Sequence, residues 1–169
     1  MKNRKRGFSL VELLIVLAVI AALIATITPV ALNAIRKSQA TKVAQNIKTL
    51  AAAIENAAYV NGTVNGFIKY GPGINDVFTG TDGDITKLAR DVDEKSYGIS
   101  YYYDNAADAK KYRAIVYTNE DVDPSTANSV LSGLTTTIDE FNTSYTSLTR
   151  LGIEYTSTCL VYEFSFDVY

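Results

Sequence analysis

The chain opens on a short basic stretch and then turns apolar for the thickness of a bilayer. Residues 1–6 read MKNRKR, Gly7 follows, and FSLVELLIVLAVIAALIATITPVAL runs on to Leu32. From Leu13 to Leu32 only Thr26 and Thr28 are polar. A helix of about 20 such residues covers about 30 Å, so the run predicts a single membrane span. Pro29 lacks an amide donor, which predicts a kink or local melting. The hydroxyls of Thr26 and Thr28 can bond the neighbouring carbonyls there. Beyond this run the pattern becomes amphipathic. Ala40, Val43, Ile47, Leu50, Ile54 and Ala57 recur in steps of three and four, with Arg36, Lys37, Lys42, Gln45 and Lys48 largely off the stripe. This predicts a continuing helix whose stripe packs on a sheet and which stops at Asn61-Gly62. Its first half has to find lipid or sister helices.

The remaining hundred-odd positions carry shorter signals. Residues 62–96 are rich in Gly, Asp and Thr and read as a connecting region, with a short helix near Asp84–Asp91. Tyr97, Ile99, Tyr101 and Tyr103 alternate as in a half-buried strand. YRAIVYT at 112–118 is a second strand, with a turn at Asn105–Lys110 between the two. Ser125–Leu134 suits a short helix started by Asp123-Pro124. The last run places Leu151, Ile153 and Tyr155 on one parity and Leu160, Tyr162, Phe164 and Phe166 on the other. A bulge or tight turn at Ser157–Cys159 accounts for the flip. The fold class is therefore α+β, a long N-terminal helix laid on a C-terminal antiparallel sheet.

Composition narrows the function. There is no His, which excludes a His-based catalytic centre and a Cys/His zinc site. The single Cys159 lies among apolar neighbours and reads as a core residue. Four of the sixteen basic residues lie in the first six positions, and the other twelve face eighteen acidic ones, a net of −6. That balance repels nucleic acid, and no direct nucleic-acid binding is expected. No cofactor motif, nucleotide loop, nucleophile elbow or paired catalytic carboxylate stands out, so an enzyme is not expected. The twelve tyrosines suit the core and wet edge of the sheet.

One residue breaks the apolar run. Glu12 is the only ionisable side chain from Phe8 to Ile35, and an unpaired carboxylate is costly in lipid. A cut between Gly7 and Phe8 would create an amine able to pair with it. An ordinary secretory signal peptide fits poorly, because the apolar run is too long, starts at an acid and continues as helix. Lys2, Arg4, Lys5 and Arg6 keep the amino end cytoplasmic and send the rest outward.

Arg6-Gly7-Phe8-Ser9-Leu10-Val11-Glu12 followed by a long apolar helix resembles the class III signal of type IV pilins and pseudopilins. The resemblance covers about the first third of the chain. It implies cleavage after Gly7 by a prepilin peptidase, N-methylation of Phe8, an assembly role for Glu12 and a helix bend at Pro29. Where that family often has a helix-weakening Gly in the span, this chain has Ala21 and Ala22. The implied organisation is a leader over 1–7, a transmembrane and filament-core helix over 8–32, its amphipathic second half over 33–61 and a head over 62–169. The implied partners are identical subunits in a homopolymer, the peptidase and an inner-membrane assembly machinery. The implied location is the cytoplasmic membrane first and an extracellular pilus afterwards. A type II secretion pseudopilin and an adhesive or DNA-capturing minor pilin are the alternatives.

Several weaker patterns read as solvated loops. Asp82-Gly83-Asp84 lacks the full ladder of a calcium loop, and Asn119, Glu120, Asp121 and Asp123 form a second acidic group. No metal site is expected. Asn61-Gly62-Thr63 and Asn142-Thr143-Ser144 match a glycosylation sequon by three residues only.

Overall fold

The structure is a computed structural model, and it describes residues 8–80, 83–104, 111–137 and 148–168. Contacts divide the chain at Ser38 into two units. The expected turn at Asn105–Lys110 and the sequon at Asn142 lie outside the described residues. Helix α1 runs Leu10–Asn61, and the short strands β1 (Thr63–Val64) and β2 (Phe67–Ile68) follow it. A 3₁₀ turn at Ile85–Lys87 leads into β3 (Tyr97–Asp104) and β4 (Lys111–Thr118). Then come α2 (Pro124–Val130), β5 (Leu134–Thr135), β6 (Thr149–Gly152) and β7 (Leu160–Asp167). The main sheet has the order β5-β7-β4-β3-β6, and every pair in it is antiparallel. The α+β architecture is as the sequence predicts.

Within the unit from Gln39 onward, α1 buries Ala40, Val43, Ala44, Ile47, Leu50, Ala51, Ile54 and Ala58. These meet Tyr97, Ile99 and Tyr101 of β3, Tyr112, Ala114 and Val116 of β4, and Phe166 of β7 in one core. Ala57, expected on the stripe, is only half-buried, and Ala58 takes the core position instead. The 3.6-residue period drifts against a strict three-and-four spacing, so the contact line moves by one residue over two turns. Gly62 ends the helix in the left-handed region at φ 77°.

The opposite face of the sheet is covered at one end. Tyr102, Ile115, Tyr117, Cys159 and Val161 form a second buried cluster beneath Leu148, Ile153 and Tyr155. Tyr117 donates to Ile153 O at 2.9 Å and packs edge-on to Tyr155. Burial pushes the Tyr117 hydroxyl up to about 12. This double cover explains why β3 and β4 are buried almost continuously where a one-sided sheet would alternate. Cys159 is fully buried, as expected.

Three local expectations are corrected, and two that left alternatives open are narrowed. The segment Asp84–Asp91 forms one 3₁₀ turn and no longer helix, because Asp93 accepts from Lys95 N and Ser96 Oγ and turns the chain into β3. Helix α2 stops at Val130, since Leu131 is extended and Asn128 Oδ1 accepts from Gly133 N and Leu134 N to launch β5. The strand expected through Leu151, Ile153 and Tyr155 ends at Gly152, where φ is 76°. The flip of parity is a tight turn in which Cys159 N donates to Thr156 O at 3.0 Å. Finally, Pro29 does not melt the helix, which is continuous through it. Thr26 Oγ1 donates to Leu23 O at 2.9 Å and Thr28 Oγ1 to Ile24 O at 2.8 Å, so hydroxyls bond carbonyls around the missing amide as expected.

The outer edge of β6 is occupied. Gly83 N donates to Arg150 O, Arg150 N to Gly80 O and Gly152 N to Gly83 O. At the other edge β5 covers only Val161 and Tyr162 of β7.

Gly152 is required twice over. Its φ is positive, and a Cβ there would lie 2.2 Å from Tyr97 O. Gly152→Ala is expected to cost about 2 kcal/mol or more through backbone strain and crowding. Thermal unfolding of the full chain in detergent checks this, and an unchanged midpoint would show that the β6 end relaxes freely.

Candidate functional site

The candidate site is the start of α1. Ser9 is the residue before the first helical turn, and its Oγ accepts Val11 N at 3.3 Å. Glu12 Oε2 in turn accepts Ser9 N at 2.9 Å. This is a reciprocal capping box, in which two amides that the helix leaves unpaired are satisfied by one hydroxyl and one carboxylate. The bond turns the Glu12 carboxylate back toward the amino end, where the helix dipole also favours negative charge. Ser9 was not singled out from the sequence, although Ser-x-x-Glu ahead of an apolar run is the readable signal.

Phe8 is 83% exposed, with no cover from the described residues. Gly7 lies outside the described residues. All large apolar side chains from Phe8 to Ile35 are exposed, and the helix is long and apolar enough to cross a membrane. Sixteen such side chains are involved, and each is worth about 1.5–3 kcal/mol on removal from water. A surface of this kind requires lipid or other helices around it. No basic residue lies within the segment to pair with Glu12 before Arg36.

The other candidates from the sequence belong to the second unit. Asp84 accepts from Thr86 N at the 3₁₀ turn, and that bond and the Thr86 hydroxyl hold its carboxyl below the usual range. Asp123 caps α2 by accepting from Thr126 N at 2.8 Å. Hydrogen bonds from Ser125 and Thr126 lower its carboxyl to about 2. Both carboxylates are engaged locally as caps. Asn61 Nδ2 donates to Lys69 O at 3.3 Å, so the amide of the first sequon belongs to the end of α1.

Residues 2–28 match the family model of the prokaryotic N-terminal methylation motif. No curated protein and no solved structure matches the chain. The match covers the basic leader, Gly7, Phe8, Glu12 and most of the apolar run, the stretch over which the capping box and the uncovered helix were found. These residues carry the N-terminal methylation motif, a class III signal of the kind found in the type IV pilin and pseudopilin superfamily, ahead of a long apolar helix and an antiparallel head.

Proposed function

We propose that the chain is the structural subunit of a type IV pilus. It is inserted as a single-pass precursor, cut after Gly7, methylated on Phe8 and polymerised through its N-terminal helix. The observation that carries this is the apolar helix without cover, opened by a capped Glu12. In lipid the exposed side chains are already out of water, so their transfer into a fibre is nearly neutral. Helix packing and the polar N-terminus then decide assembly, and Glu12 is the polar group placed to act. Pro29 is where the helix bends as subunits pack. Identical subunits, the peptidase and the inner-membrane machinery are the partners. The chain passes from the cytoplasmic membrane to the cell surface.

A subunit in a polar fibre contacts its neighbours head to tail, and the contact propagates without closing. The expected mature chain begins at Phe8 with a methylated amine, which mass spectrometry of the processed subunit reads directly. A start near Ala34 would overturn the proposal, because the assembly helix would be gone. Electron micrographs of cells with and without the chain separate a long surface fibre from the short periplasmic fibre of a pseudopilin.

A further inference from the structure

The charges of the head are unevenly placed. A groove runs beside the last turns of α1, lined by Asn56, Val60, Tyr70, Lys87 and Arg90. Tyr70 and Lys87 belong to both of its lobes, and neither lobe carries a carboxylate among the described residues. Lys87 Nζ sits 4.1 Å above the Tyr70 ring, and Tyr70 in turn packs on Phe78 at 5.0 Å. The aromatic ring holds the ammonium in place, and exposed Arg90 adds a second cation beside it. In a head of sixteen acidic and eight basic residues over 62–169, such a groove selects an anionic guest.

The matching anion lies at the other end of the head. Glu120, Asp121 and Asp123 are exposed in the loop between β4 and α2, which has no basic residue. The loop is pinned at both ends, by Glu120 N donating to Thr118 Oγ1 at 3.1 Å and by Asp123 capping α2. Asn119 N donates to Ser96 O, and the next residue, Tyr97, accepts at its hydroxyl from Asn46 Nδ2. The loop is thus level with Asn46 on α1, while the groove is level with Asn56. Ten residues of helix separate the two by about 15 Å along the axis. Arg90, Glu120 and Asp121 make no ion pair within the subunit among the described residues.

We propose that the groove at Tyr70, Lys87 and Arg90 receives the acidic loop, residues 119–123, of a second copy of this chain. The inference rests on the fibre reading. Subunits that point the same way along a fibre present the loop of one to the groove of the next, so a single contact repeats throughout. Because both loop and groove are pre-shaped by internal bonds, little ordering is needed on contact. The contact weakens in salt, since at 1 M the screening length falls to about 3 Å.

The test uses the full chain in fibres sheared from cells. Arg90→Cys with Asp121→Cys is expected to give a ladder of disulfide-linked subunits on oxidation, and neither single variant should. Cys159 is fully buried and stays out of the exchange. Lys87→Glu with Arg90→Glu should lower fibre yield about tenfold, as should Glu120→Lys with Asp121→Lys. Combining all four should restore yield to within about twofold of the parent. Fibres of normal yield from either charge-reversed pair, or fibres without a ladder from the double-cysteine chain, would overturn the contact and leave the fibre reading standing. Correctly cut subunits of the unaltered chain that form no fibre would overturn the fibre reading and the contact with it.

Discussion

Replacing Ile47 by Asp is expected to unfold the head. Ile47 is fully buried in the cluster that joins α1 to the sheet. Removing the aliphatic side chain alone costs about 2–5 kcal/mol at a core site. The new carboxylate has no basic partner on the stripe and adds a further desolvation penalty of several kcal/mol. The sum is comparable with the whole stability of a small domain, about 5–15 kcal/mol. Lys48→Asp, one position on and exposed, should shift stability by about 0.5 kcal/mol or less. Near-ultraviolet circular dichroism of the full chain in detergent reads both. If Ile47→Asp melts like the parent, the stripe is not what holds the helix to the sheet.

The second large effect concerns Glu12. Glu12→Ala is expected to leave insertion and cleavage after Gly7 largely intact, because the leader and the apolar run are untouched. Fibre yield should collapse, with cut subunit accumulating in the membrane. An unpaired carboxylate costs up to about 2.5–3.5 kcal/mol in a bilayer, less toward the edge where Glu12 lies, and a neighbour's Phe8 amine relieves that cost only in the correct axial register. The capping box adds a control. Glu12→Gln keeps an oxygen able to accept Ser9 N, yet carries no charge. If charge pairing sets the register, Glu12→Gln should fail like Glu12→Ala, and Glu12→Asp should be intermediate. If capping is what matters, Glu12→Gln should assemble. Comparison of cut subunit with sheared fibre separates the cases, and normal fibre from Glu12→Ala would remove Glu12 from the account altogether.

Much of this architecture was legible because its signals are long. The apolar run and the stripe from Ala40 to Ile54 each repeat over several turns, so a misread position does not change the element. The strands at Tyr97–Asp104 and Lys111–Thr118 were readable from aromatic and β-branched residues. The short pieces were not. The β1–β2 hairpin turns through Asn65 and Gly66, both at positive φ, and Asn-Gly between apolar residues is a strong hairpin signal that was passed over inside a Gly-rich stretch. Strand β5 has only two residues and is set by Asn128, which no periodicity reveals. The second buried cluster depends on where the chain folds back after Gly152, a tertiary fact. At the site, Gly7, Phe8 and Glu12 stood out by type and spacing, whereas the partner of Glu12 inside the subunit, Ser9 N, emerged only from geometry.

The sheet edges have a consequence wherever copies of this chain crowd together, as the proposed fibre requires. An open strand edge is a template on which another chain can add by backbone pairing, and crowded copies would aggregate by that route. Here the β6 side is closed by the chain's own backbone at Gly80 and Gly83. On the β7 side β5 pairs with only two residues, and Glu163 and Asp167 place negative charge along the rest of that edge among the described residues. Two such edges repel when they meet, so stacking of sheets is disfavoured while subunits wait. Copies can then be crowded without joining sheet to sheet, which leaves the proposed assembly to the helix and the groove contact.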